Sequence, residues 1–195
     1  MSIPPENPAA YPPNKTALLL LDFHHRISLL SAARANGAPI VRAFDAAPLP
    51  RSKIRPRFEA QYMPLLASAP DRFVEWEGFV AGAAPAGHEM AVSKTPSCIS
   101  ALRTPELLRF LKEQHKVESV VVCGVITSGA VLSTAREAAD LGFVTTVVEE
   151  GCWDYTTEVH EVVLRKVLPM TAWVANKEAA LKLLNGTSRA LEETK

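Results

Sequence analysis

Cysteine is scarce in this chain. Cys98, Cys123 and Cys152 are an odd number with no C-x-x-C pair. That argues against a disulfide framework and fits a reducing compartment. Net charge is absent too: 21 basic residues balance 21 acidic ones, and no basic face is clustered. Nothing there calls for nucleic acid, and a neutral surface does not hinder self-association. Long apolar runs are missing. The longest, Ala17 to Leu21, is far too short to span a membrane. The N-terminal MSIPPENPAAYPPNK has neither the charged region nor the apolar core of a secretory signal. The expectation is a soluble cytoplasmic protein with no membrane or nucleic-acid partner.

Two familiar motifs also fail. GVITSG has phosphate-loop spacing, but Ala130 and Val131 stand where a lysine and a hydroxyl residue would hold a nucleotide and its magnesium. Ser128 has no glycine two residues before it, so it is not in a nucleophile elbow. His88, His115 and His160 lie far apart without metal-ligand spacing.

What the chain does have is alternation. With 195 residues and 48% hydrophobic content it is expected to form one domain over residues 15–186. An N-terminal arm, 1–14, and a polar tail, 187–195, flank it. Glu118 to Gly142 reads as strand, turn and helix. Val120 to Val122 is β-branched and bounded by Gly124, Thr127-Ser128-Gly129 is the turn, and apolar residues from Val131 to Leu141 recur at three and four. Thr16 to Phe23, Pro39 to Phe44, Met90 to Lys94, Val144 to Val148 and Ala172 to Val174 read as further strands. Helices are expected over Ser28–Ala35, after Thr104-Pro105, from Thr156 or Thr157 to Val167, and over Asn176–Leu184. Alternation with helical crossovers implies a three-layer α/β/α sandwich around a mostly parallel sheet. Asp45 to Phe58 reads as a long surface loop, and Glu75-Trp76-Glu77-Gly78 as a polar-aromatic knot.

Charged residues gather at strand ends. Asp22 closes the first strand with His24, His25 and Arg26 beyond it, and Lys94 closes another. Ligands bind at that edge of open parallel sheets. On residues alone Asp22 either caps the next helix or serves a site, and Lys94 is either a solvated charge or a site residue. The turn after Val122 offers backbone amides at a helix N-terminus, where an anion or oxyanion can sit.

The segment Cys123-Gly124-Val125-Ile126-Thr127, with Asp22 and Lys94 at their strand ends, resembles the isochorismatase-like (cysteine hydrolase) family. The resemblance covers about Thr16 to Leu184. It implies Asp22 as acid/base residue and Lys94 as its fixed lysine. The nucleophilic cysteine of the family falls on Ala130. His24, Val125, Ile126, Thr127, Ser128 and Gly129 are then the expected substrate contacts. The nicotinamidase metal motif Asp-x-His is replaced by Asp45-Ala46-Ala47, so neither a metal nor a cofactor is expected.

Alanine excludes covalent catalysis at position 130. Isochorismatases and a phenazine-pathway relative carry glycine there and hydrolyse a vinyl ether by proton transfer, a branch that alanine fits better. Their turn usually carries an aromatic residue and a histidine, however, where this chain has Ile126-Thr127-Ser128. The resemblance thus implies a small-molecule substrate, a place in secondary metabolism and a homodimer or homotetramer. Three readings stand. One is a thiol-independent hydrolase, one a non-catalytic binder or oligomeric partner, and one a hydrolase with a relocated nucleophile, Cys98 or Ser128.

Overall fold

The computed structural model describes residues 3–22, 28–44, 50–53, 55–56, 59–60, 64, 86–96, 98–187 and 191. His24, Asp45 and the Glu75–Gly78 knot lie outside them. Six strands form one sheet: β1 (Thr16–Leu21), β2 (Ile40–Phe44), β3 (Glu89–Ser93), β4 (Ser119–Val125), β5 (Val144–Trp153) and β6 (Trp173–Ala175). Their order is β3-β2-β1-β4-β5-β6 and every pairing is parallel. The chain starts at the centre, winds outward through β2 and β3, then returns to lay β4 on the other side of β1. The crevice between β1 and β4 is therefore the point where strand order reverses, and it is there that open α/β sheets bind ligands.

Beyond their first residues, Thr16 and Ser119, the central strands β1 and β4 are apolar because both their faces are covered. In β1 every residue is buried. Ala17, Leu19 and Leu21 join one core cluster, while Leu18 and Leu20 join the other. The first cluster is closed by α2 (Pro105–Leu108, continued by a wider turn Arg109–Gln114), α3 (Leu132–Asp140) and α4 (Thr157–Val162, continued by Val163–Val167). The second is closed by α1 (Ser28–Ala35) and α5 (Lys177–Leu184). Three layers follow directly. No helix among the described residues is long and apolar enough to cross a membrane.

Two glycines let neighbouring strands close up, Gly124 between β1 and β4 and Gly151 between β4 and β5. A Cβ on Gly124 would lie 2.7 Å from Leu21 Cβ and 2.9 Å from the Leu21 carbonyl oxygen, so β1 and β4 approach there as only glycine permits. A Cβ on Gly151 would meet Cys123 Sγ at 2.7 Å.

β5 runs farther than its sequence suggests. Val122 pairs with Val147, but Gly124 pairs with Cys152, so the register shifts and β5 carries extra residues between the two pairs. The polar Glu149-Glu150 reads as a strand end, but is an irregularity within a strand that resumes.

The N-terminal residues form two short helical turns, Pro8–Ala10 and Pro13–Lys15, packed on the domain. Buried Asn7 donates from Nδ2 to the Leu191 carbonyl at 2.9 Å and accepts from the Leu191 amide at 3.1 Å. Trp173 Nε1 donates to the Glu6 carbonyl at 3.0 Å.

Candidate active site

β1 ends in Leu21, and Asp22 turns out of the strand with a left-handed φ of 56°. Aspartate tolerates that region better than most residues. Its amide still donates to Ala43 of β2 at 2.8 Å, so the backbone is held while the side chain is redirected. Lys94 follows β3, two strands away. Its side chain is 1% exposed and its Nζ donates to Asp22 Oδ2 at 2.6 Å.

The segment after Lys94 is held by hydroxyls. Thr95 N donates to Thr104 Oγ1 at 3.2 Å, and Thr95 Oγ1 donates to the Arg103 carbonyl at 3.2 Å. Thr104 stands at the N-cap of α2, as its sequence suggests, but its side chain makes no capping bond. The hydroxyl is used instead to fix the residue beside Lys94. Ala101 N donates to the buried Thr134 Oγ1 at 3.1 Å, tying this loop to α3.

On the other side of the crevice, β4 ends at Val125, and the Val125–Ile126 peptide is cis. Thr127–Val131 then form a wide helical turn that leads into α3. Leu21 and Val131 both close on Gly124. Asp22 follows one of these residues and Ala130 precedes the other, so both stand at the same end of the same two strands. Ala130 is buried, 5% exposed.

The turn amides are partly spoken for, which narrows the anion site expected from sequence. Ser128 N donates to Asp154 Oδ2 at 2.7 Å, and Gly129 N donates to the Ile126 carbonyl at 3.1 Å. A carboxylate already sits at this helix N-terminus and answers its partial positive charge. Any oxyanion donor must come from the remaining amides of the turn, not from Ser128 or Gly129. The same Asp154 also accepts from Tyr155 N at 2.8 Å. The buried Thr127 hydroxyl shares a 2.8 Å hydrogen bond with His160 Nδ1 of α4. Sequence reasoning missed both Asp154 and His160 as supports of the turn. The available signal was their position just after β5, the strand beside β4.

The other nucleophile candidates differ in kind. Cys123 is fully buried, and burial pushes its thiol well above the usual range. Burial also pushes Cys152 up to about 12, against a smaller opposing hydrogen bond from Gly124. Both stay protonated at neutral pH and are poor nucleophiles. Cys98 is half-buried in the loop after Lys94, its amide bonded to the Thr95 carbonyl at 2.9 Å. Ser128 is exposed, and no base accepts from its hydroxyl among the described residues. Among these residues no group of three or more His, Cys, Asp or Glu is arranged to hold a metal ion.

The isochorismatase domain family matches residues 25–179, a segment that begins three residues after Asp22. An uncharacterized isochorismatase family protein of Escherichia coli O157:H7 is 34% identical over 68 residues, 35% of this chain and 36% of that protein. The chain thus matches about a third of that relative's length. Among solved structures, an isochorismatase family protein of Burkholderia thailandensis superposes with a TM-score of 0.66 at 20% identity, covering 88% of this chain and 96% of that one. A nicotinamidase of Staphylococcus aureus superposes with a TM-score of 0.51 at 21% identity, over 83% and 99%. At such identities the structural likeness speaks for the fold.

Proposed function

We propose, from the premise that this chain belongs to the isochorismatase family, that it is a hydrolase working by proton transfer through Asp22 and Lys94, without a cysteine nucleophile. The observation that carries this reading is the buried pair at the sheet's C-terminal edge. Lys94 Nζ lies 2.6 Å from Asp22 Oδ2, and both side chains are largely shielded from water. Desolvating two charges offsets most of what their attraction returns, so a pair in this place is poorly explained by stability alone. Hydrolysis is supported at the family level by the nicotinamidase that shares the fold. Position 130 is alanine, which has no atom able to attack a carbon.

The chemistry that fits is cleavage of an acid-labile bond in a small molecule, with an enol or vinyl ether as the leading class. Asp22, once protonated, adds a proton to the distal carbon of C=C–O, leaving an oxocarbenium carbon. Water adds its oxygen to that carbon and returns a proton to Asp22. The resulting hemiketal separates into a carbonyl compound and an alcohol. Lys94 balances the Asp22 carboxylate whenever the proton is away. Proton transfer of this kind contributes about 10²–10⁴-fold.

The test is a mass-spectrometric turnover panel of enol ethers, vinyl ethers and simple amides, run with wild type and with Asp22→Asn. Turnover of an enol or vinyl ether that disappears in Asp22→Asn, with no mass added to the protein, is the expected result. Amide turnover through a protein adduct on Cys98 or Ser128 would replace this reading with a relocated nucleophile.

A further inference from the structure

We propose that His88 and His115 together form a binding site for a divalent metal ion of the zinc class (Zn²⁺, Ni²⁺ or Cu²⁺), at the end of the sheet opposite to Asp22 and Lys94. The two residues are far apart in sequence. His88 stands just before β3, and His115 just after the helical segment that ends at Gln114. The fold brings their rings to a centroid separation of 4.9 Å, tilted by 58°. An ion held about 2.0–2.1 Å from one nitrogen of each ring, at a tetrahedral angle, sets two imidazole centroids about 5 Å apart. The rings already stand at that separation.

Both rings are also set in the right form. A carbonyl oxygen can only accept, so a ring nitrogen that meets one carries the proton. His115 Nε2 donates to the Gly87 carbonyl at 2.9 Å, and His88 Nδ1 donates to the Ala86 carbonyl at 3.3 Å. In each neutral ring the other nitrogen, Nδ1 of His115 and Nε2 of His88, then carries a lone pair. Neither of these has a hydrogen-bond partner among the described residues. A histidine tied through its second nitrogen to a backbone carbonyl is the common arrangement of a metal ligand, because that bond fixes the tautomer and the ring plane and raises the basicity of the free nitrogen. Both carbonyls belong to one short turn, in which Gly87 takes a left-handed φ of 77° that glycine adopts freely. The buried Phe110 packs on the His115 ring with centroids 4.4 Å apart. Burial keeps His115 below its ordinary value, and the charge of His88 acts in the same direction, so the His115 ring is neutral at pH 7 and ready to ligate.

The donors select the ion. Neutral imidazoles suit Zn²⁺, Ni²⁺ and Cu²⁺, whereas Mg²⁺ and Ca²⁺ take oxygen ligands. No third His, Cys, Asp or Glu joins the pair among the described residues, so water fills the remaining positions. The place of the site makes it structural. β3 begins one residue after His88 and ends one residue before Lys94. At about 3.3 Å per residue the strand keeps His88 and Lys94 about 20 Å apart. The Asp-x-His motif of nicotinamidases would follow β2, at the other end of the strands. β3 is the edge strand of the sheet, and an ion on His88 and His115 ties its start to the segment that continues α2.

Isothermal titration of the full chain, stripped with a chelator, with Zn²⁺, Cu²⁺ and Mg²⁺ in turn tests this. Zn²⁺ should bind with a Kd of about 100 µM or tighter. Cu²⁺ should bind more tightly than Zn²⁺, in the usual order for nitrogen ligands, and Mg²⁺ not at all. His88→Gln and His115→Gln should each weaken Zn²⁺ binding at least about tenfold. A footprint on wild type needs no variant to fold. Diethyl pyrocarbonate acylates a ring nitrogen that has a free lone pair, so Zn²⁺ should protect His88 and His115 and leave His160 as reactive as before. No Zn²⁺ binding up to about 1 mM, binding that His88→Gln and His115→Gln leave unchanged, or protection of other histidines in place of these two would overturn the proposal.

Discussion

Replacing Lys94 by methionine keeps the length and apolar stem of the side chain and removes only the ammonium. In wild type that group is 1% exposed and lies 2.6 Å from a carboxylate that is 12% exposed. Water cannot replace it readily, so the usual discount for a solvated pair does not apply. Breaking a buried pair at one side costs about 3–5 kcal/mol, or roughly 6–20 °C in melting temperature at about 2–4 °C per kcal/mol for a chain of this size. Adding Asp22→Asn should recover most of that loss. Asparagine tolerates the left-handed φ of 56°, so the second substitution adds little backbone strain. Urea unfolding of wild type, Lys94→Met and Asp22→Asn/Lys94→Met at pH 7 provides the numbers. A Lys94→Met variant as stable as wild type at pH 7, or a double variant no more stable than the single one, would mean that Lys94 and Asp22 do not form a desolvated pair.

Three further outcomes follow from the packing. Gly124→Ala forces a Cβ to within 2.7 Å of Leu21 Cβ and 2.9 Å of its carbonyl oxygen. It should cost about 1–3 kcal/mol or more in chemical denaturation, and a neutral result would mean that β1 and β4 are not so close. Asn7→Ala removes both bonds to Leu191 and the 3.1 Å bond from Ala9 N. A loss of about 1–3 kcal/mol and faster proteolysis near the C-terminus are expected, whereas unchanged proteolysis would mean that Asn7 does not hold that end. Burial lowers His115 below its ordinary value, helped by the charge of His88 and opposed by the Gly87 carbonyl. The folded state therefore resists protonation more than the unfolded chain does, so stability should fall as pH drops below about 6.5. His115→Gln should flatten that slope, and an unaltered slope would assign it to other groups.

The sheet was legible because burial on both faces leaves continuous apolar runs, leucine in Leu18–Leu21 and β-branched valine in Val120–Val122. Ion-pair partners at strand ends were legible as odd residues in such runs. Asp22 and Lys94 do meet, although 72 positions separate them. What sequence could not supply was the use of atoms between distant segments. Asp154 and His160 read as ordinary polar residues until β5 brings them beside the turn that follows β4. Thr104 has the sequence of a helix cap, but its hydroxyl is drawn to Thr95 by the loop's own folding. Glu149-Glu150 reads as the end of a strand because a register shift leaves no periodic trace. Nor does anything local in the turn after β4 say that Ser128 N already has a carboxylate, that of Asp154.

Chemistry on this chain is proposed to run through Asp22 and to need no protein nucleophile. Its most direct test is the turnover rate of the same substrate by wild type, Asp22→Asn, Cys98→Ala and Ser128→Ala. A loss of about 10²–10⁴-fold is expected in Asp22→Asn, with near-wild-type rates in the other two. Full activity in Asp22→Asn, with a collapse in Cys98→Ala or Ser128→Ala, would contradict it.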